Sequence, residues 1–346
     1  KNDFNFTLFA DHTSTDSLCI VDDNYGCFLD QNDCLLSEEK YKIIGKKYKI
    51  DLGALFYSGG SMYPSSFDFT KHEKIKITKK RIIDQFNYSI KTAQLLNIKN
   101  VIPGANDMCL LKKSPMDEFT SALPYEFYSY VKKKNKLLNI ILMQSGDVYD
   151  FEKKFKNNFY VKSKKQWLKN VDEYRNSLQV KELQQKIDEF ENKNRSADIA
   201  NFEKLMGQYL KLKPFSYTTT KKNKEFRVFF EVKCLRKKEC FELYFSSNEN
   251  KILKTTKIFS EKKFHMKISI DENLLQMCMN GEYNWEDMMN NKFKVVRKLN
   301  KYNTNEYSFW IFLSEFTNFL FSVKQQKLSA KKDKIKTYCW DINVAP

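Results

Sequence analysis

The sequence predicts an α/β protein built in parts, on three observations. Short apolar strands alternate with helical stretches up to about residue 160, residues 164–212 are helical in pattern and rich in Glu, Lys and Gln, and strand-like runs follow one another after residue 225. We therefore expect an α/β domain over 1–160, a helical connector over 161–215, a smaller α+β module over 216–322 and a basic tail over 323–346. With 346 residues, 42% hydrophobic and 15% aromatic, the chain can bury a core in each of two domains.

The elements follow in order. Residues 4–9 read as a strand, and residues 17–21 and 26–29 as a hairpin around Asp22-Asp23-Asn24-Tyr25-Gly26. A helix over 37–44 follows, because the Ser37 hydroxyl can cap it and Glu38 and Glu39 suit its positive end. Residues 50–57 form a buried strand that runs into Ser58-Gly59-Gly60-Ser61. Residues 74–96 form a long amphipathic helix with Ile75, Ile82, Phe86, Ile90 and Ala93 near one face, and 100–103 the next strand. Pro214 ends the connector. Beyond it 225–234, 240–246, 252–259 and 264–270 read as consecutive strands, mostly antiparallel because their connections are short. Asp271 caps a helix that reaches Met279, and a last helix covers about 306–321.

Composition narrows the function classes. The apolar stretches at 137–143 and 309–321 are too short or too interrupted to span a bilayer, so no membrane helix is expected. No charged-then-apolar leader is read, and eight cysteines without a C-x-x-C pair fit reduced, buried thiols, so the expected location is cytoplasmic. The net charge of +17 is spread over many lysines, with runs at 132–136, 162–165 and 331–336. It suits an anionic small-molecule substrate drawn in by long-range steering, and it leaves nucleic acid open as a partner.

The chemistry-bearing residues are few. Asp11-His12-Thr13-Ser14-Thr15-Asp16 leads through the hairpin to Asn32-Asp33-Cys34. Imidazole nitrogen from His12 and carboxylate oxygen from Asp33 would suit zinc or iron, and adjacent strand ends can hold both on one rim. The pair alone also allows a structural reading, with His12 a surface residue and Asp33 a helix-start carboxylate. Ser58, Gly59, Gly60 and Ser61 could let backbone N–H groups approach a substrate phosphate, or could simply make a tight turn. His72 lies in a charged helix start and is assigned no role, His265 reads as a structural histidine, and Trp285 as a core anchor.

Several segments together resemble one family in order. Asp16-Ser17-Leu18-Cys19-Ile20-Val21 with Asn32-Asp33-Cys34, Phe56-Tyr57-Ser58-Gly59-Gly60-Ser61-Met62-Tyr63-Pro64, Val101-Ile102-Pro103-Gly104-Ala105 and Gln144-Ser145-Gly146-Asp147-Val148 resemble its strand ends and turns. Asn280-Gly281-Glu282-Tyr283-Asn284-Trp285-Glu286-Asp287, then Phe293, Arg297 and residues 302–312, resemble its C-terminal segment and its Arg- and aromatic-rich ending. The family is that of the metallo-β-lactamase-fold CMP-N-acetylneuraminate hydroxylases, with relatives acting on other N-acetylated sugar nucleotides such as UDP-N-acetylmuramate. The resemblance implies that the first domain is the C-terminal portion of an αββα sandwich. It implies a metal-dependent oxygenase acting on an N-acetylated sugar nucleotide, with His12 and Asp33 as metal ligands, iron or zinc as the metal and an electron-transfer partner.

Two departures bound what the resemblance carries. The family's His-x-His-x-Asp-His motif and its Rieske iron-sulfur pairs are absent from these residues, which hold only three histidines, so both are expected upstream or, for the cluster, on a partner. Where many members place a last ligand histidine, this chain has Asn106 and Asp107, which are candidate replacement ligands. Two other readings remain: a metal-dependent hydrolase of the same fold, and a non-catalytic basic binding module for nucleic acid or a protein partner.

Overall fold

The computed structural model describes residues 4–10, 16–59, 63–65, 67–104, 122–143, 146–153, 163–193, 196–212, 225–234, 237–246, 249–255, 264–283, 285, 294–297 and 304–329. The chain divides into two compact units, Lys1–Ser65 with Phe69–Ile187, and Ser66–Asp68 with Asp188–Pro346.

The first unit is organised by one six-stranded sheet of order β1-β2-β3-β4-β5-β6. Strands β1 (Asn5–Ala10), β2 (Ser17–Asp22) and β3 (Cys27–Asp30) form an antiparallel meander. From β3 the sheet becomes parallel, through β4 (Leu52–Phe56), β5 (Asn100–Gly104) and β6 (Asn139–Ile140). The connections carry helices α1 (Glu38–Lys47), α2 (Lys71–Leu95) and α3 (Pro124–Lys134). Each crossover steps one strand further in the same direction. Right-handed crossovers that all advance one way place their helices on one face of the sheet.

The packing agrees. Tyr41 and Ile44 of α1, Phe86 and Ala93 of α2, and Phe127 and Val131 of α3 share one core cluster with Leu18, Ile20, Leu29, Leu55 and Val101 of the strands. Since side chains alternate along a strand, the positions between them face the other way. There Phe6 and Leu8 are 58% and 56% exposed. They pair across the sheet with the half-buried Val21 and Cys19, and Val21 in turn pairs with half-buried Phe28. This second face is apolar and at its β1 edge it lies open.

Local chemistry sets the helix boundaries. Ser37 caps α1 as expected, accepting from Lys40 N. Helix α2 starts at Lys71, ahead of the expected residue 74, because Thr70 and Glu73 close a reciprocal capping box. Gly45 lets the end of α1 meet the end of α2, since a Cβ there would lie 2.6 Å from the Leu95 carbonyl oxygen. Helix α3 was not expected from the sequence. Pro124 at its first turn, Glu126 and the pair Phe127 and Val131 are its signals.

The expected connector resolves into α4 (Lys164–Arg175), α5 (Leu178–Glu191) and α6 (Ile199–Leu212). The division between the two units falls within α5, after Ile187.

The second unit holds a five-stranded sheet of order β11-β10-β7-β8-β9. Its strands are β7 (Glu225–Lys233), β8 (Lys238–Ser246), β9 (Asn250–Lys254), β10 (Met266–Asp271) and β11 (Lys294–Arg297). Pairing is mostly antiparallel, as expected, except that β10 returns to lie parallel beside β7. Helices α7 (Glu272–Met279) and α8 (Thr304–Ser329) complete the unit. Asp271 occupies the cap position of α7, but its side chain makes no capping bond.

Aromatic rings form the core of this unit. Phe202 of α6 stacks on Phe230 at 5.5 Å, Phe245 meets Phe309 at 5.8 Å, and the buried Trp285 sits 6.0 Å from Phe230 and 6.2 Å from Phe316. Trp285 is thus the expected core anchor. His265 is structural too, with its Nδ1 accepting from Arg227 N at 3.0 Å. The alternate positions on the sheet carry charge instead. Arg227 pairs with Glu225 and Glu242 at 2.8 and 2.9 Å, and Glu231 takes Lys267 at 2.9 Å and the Ser269 hydroxyl at 3.1 Å.

Among the described residues no helix is long and apolar enough to cross a membrane, and none of the described cysteines is in a disulfide.

Candidate functional site

The topology of the first unit brings several chain ends to one edge. Strands β3, β4, β5 and β6 end there, β1 ends there at Ala10, and β2 begins there at Ser17, directly opposite Ala10. In open α/β sheets the crevice beyond the carboxyl ends of the strands is the usual ligand site. Asp33 lies just past β3 on this edge, and Asp16 just before β2.

Asn32 ties the Asp16 carboxylate to the end of β3. Its side-chain amide donates to Asp16 Oδ1 at 3.1 Å, and its backbone N–H donates to Asp30 Oδ1 at 3.0 Å. Asp16 Oδ1 also accepts from Ser17 N at 2.8 Å. Asn32 adopts φ +48°, a left-handed conformation that asparagine tolerates. Cys34 N donates to Gln31 O at 3.1 Å, which closes a four-residue turn with Asp33 at its third position. Asp33 keeps contact with solvent, yet its crowded surroundings and the charge of Asp16 push its carboxyl above the usual range. Two carboxylates therefore face one rim, with Asp33 the harder to ionise for its burial and for the charge beside it.

The remaining predicted residues fall as follows. Ser58 is fully buried, and its hydroxyl accepts from Ala122 N at 3.0 Å, so it joins the β4 exit to the start of α3. Tyr57 reinforces that link through its hydroxyl to Ala122 O at 3.1 Å. Gly59 lies close against α2, where a Cβ would approach the Phe56 ring to 3.0 Å and Gln85 Nε2 to 3.3 Å. Lys74 and Arg81 hold the following turn by donating to the carbonyls of Ser65 and Tyr63. His12, Gly60, Ser61, Asn106 and Asp107 lie outside the described residues. His72 is exposed at the start of α2.

A hard or borderline cation favours carboxylate oxygen, so Asp16 and Asp33 are of the right chemistry to contribute to a metal site. Two donors fall short of a coordination sphere. Among the described residues no group of three or more His, Cys, Asp or Glu is placed to hold an ion. Asp16, Asn32 and the buried Gln31 are the members of this edge that reading for ligand types passes over. The available signal was the density of Asp and Asn at both ends of one hairpin.

No family model and no curated protein matches the chain. Among solved structures it is similar to sterol carrier protein 2 from Yarrowia lipolytica (apo form), at 18% identity and a TM-score of 0.20, over 36% of this chain and 78% of that chain. A TM-score of 0.20 is too low to carry anything further.

Proposed function

We propose that the first unit is one layer pair of a metallo-β-lactamase-type αββα sandwich, and that the protein is a metal-dependent oxygenase acting on an N-acetylated sugar nucleotide. The observation that supports this best is the meeting of Asp33 and Asp16 at the strand-end edge, with Asp33 held partly against ionisation. A cation placed there would relieve that repulsion, and His12 and upstream histidines would complete its shell. The sandwich reading draws on the helices gathered on one face and the apolar opposite face, which suits a second sheet packed about 10 Å away. The reaction class rests on the order of the resembling segments along the chain.

In this reading the residues of the chain bind and orient. Asp33 and Asp16 supply negative oxygen at the rim, the Asn32 amide holds the Asp16 carboxylate there, and the lysine-rich surface steers an anionic nucleotide. The metal, when bound, supplies activation of oxygen.

Equilibrium dialysis of the protein with its upstream segment against Fe²⁺ or Zn²⁺ tests the site. Asp33→Ala should lose at least tenfold in affinity with the fold retained, because a rim carboxylate contributes little to packing. Unchanged affinity rejects the site. Oxygen uptake that depends on a nucleotide sugar supports the oxygenase, whereas hydrolytic product without oxygen uptake replaces it with the hydrolase.

A further inference from the structure

We infer that Gln31 is the positioning residue of the carboxylate rim, a buried clamp that fixes the turn bearing Asp33 against the ends of two strands and two helices. The inference adds a residue to the site proposed above and rests on that site for its functional meaning, but its structural content stands apart.

Gln31 is fully buried, immediately after β3, where an unpaired amide would carry a desolvation penalty. Every polar group of its side chain is used. Nε2 donates to Tyr41 Oη at 2.7 Å and to Cys34 O at 3.2 Å, while Oε1 accepts from Phe56 N at 3.0 Å. Its backbone N–H adds a bond to Ala54 O at 2.9 Å. One side chain thus ties the end of β4, helix α1 and the far side of the Asp33 turn to the end of β3.

Tyr41 doubles the clamp. Its hydroxyl donates to Cys34 O at 3.1 Å, accepts from Leu36 N at 3.1 Å and lies 3.0 Å from the hydroxyl of Tyr88 on α2. The turn is therefore held at its first residue by Gln31, at its last by two donors to Cys34 O, and at Leu36 beyond it. Between the ties at Gln31 and Cys34, Asn32 and Asp33 face outward, and Asp33 is the one of the two that carries a carboxylate. A hydrophobic residue at 31 would fill the space as well, yet it could not stop the turn from rotating Asp33 away from Asp16.

The test compares Gln31→Met, close in volume but without the bonds, with Val101→Ala, a cavity in the same core on β5. Both are made in the 346-residue chain. Amide hydrogen exchange at Asn32, Asp33, Cys34 and Leu36 is read against global stability, and Mn²⁺ affinity is measured beside it. Gln31→Met should speed exchange at these amides at least tenfold beyond what its loss of global stability explains, and Val101→Ala should not. Tyr41→Phe should do the same to a smaller extent, which keeps the test open if Gln31→Met does not fold. Equal local exchange in the Gln31 or Tyr41 variant and the Val101 variant overturns the clamp. If the unaltered chain binds no Mn²⁺, the exchange result alone decides the clamp, and the metal reading is decided separately by the dialysis described above. If it binds, Gln31→Met should weaken affinity about tenfold while Val101→Ala leaves it within twofold, and the reverse order also overturns the proposal.

Discussion

The two sheets of this protein treat their second faces in opposite ways. In the second unit one face carries the aromatic core and the other is closed by charge, with Arg227, Glu242, Glu231 and Lys267 paired over the strands. In the first unit one face carries helices α1, α2 and α3, and the other shows Phe6, Leu8, Val21 and Phe28. A sheet face covered with ion pairs is finished in water, whereas an apolar face is finished only by another layer. The difference teaches where each unit ends as a folding body. The second sheet meets water with paired charges, and the first meets it at Phe6 and Leu8 with apolar side chains.

The largest effect that sharpens this contrast lies in the aromatic core of the second unit. Trp285→Ala should destabilise that unit by about 3–5 kcal/mol, the range for emptying a large buried aromatic site. Denaturant unfolding should then show one transition moved strongly and the other unchanged, and a uniform shift of both would break the two-unit picture.

Next comes the charged face. Burial works to raise the Glu231 carboxyl, but the bond and charge of Lys267, with Ser269 and Lys238, prevail and hold it below the usual range. A depressed folded pKa gives stability that is present above the unfolded value near 4 and is lost as pH falls through the folded value. Glu231→Gln should therefore lower stability at pH 7 by roughly 1 kcal/mol and shrink the difference toward pH 3. Thermal melts at the two pH values measure it, and an equal loss at both would show that the charge is not what matters.

The open face should respond less in stability and more in association. Replacing Phe6 and Leu8 by Lys should change the unfolding free energy by no more than about 0.5 kcal/mol each, since exposed positions contribute little. Light scattering should fall in the double variant. A large destabilisation would mean that the face is already covered.

Asp33 gives the smallest change. Its folded pKa is raised, so the ionised form is unfavourable at neutral pH and the penalty disappears as pH falls below the unfolded value. Asp33→Asn should raise the melting temperature slightly at pH 7 and not at pH 3, which differential scanning calorimetry can resolve.

Most elements were legible because their signals are local. The strands of the meander alternate, Ser37 with two following glutamates announces α1, and the run from Glu225 onward is dense in β-formers. Helix α3 was missed because Phe127 and Val131 sit among tyrosines and lysines that hide a two-residue stripe. Strand β6 has two residues and β11 four, too short for a period to show. At the site Asp33 could be singled out from its hairpin, but Gln31 could not. Its partners Cys34, Tyr41 and Phe56 stand 3, 10 and 25 positions away, and nothing in a polar loop marks the one amide that turns inward.

The meander also has a place in time. Strands β1, β2 and β3 are joined by short connections and can pair on the microsecond scale of hairpins, whereas β4, β5 and β6 wait for crossovers through whole helices. During that interval the ribbon has neither layer against it, and its edge strand β1, reading Asn-Phe-Thr-Leu-Phe-Ala, carries no charge or proline to keep a second ribbon away. Slow synthesis or a chaperone that shields six residues would then matter more to the yield of this protein than the strength of its finished core.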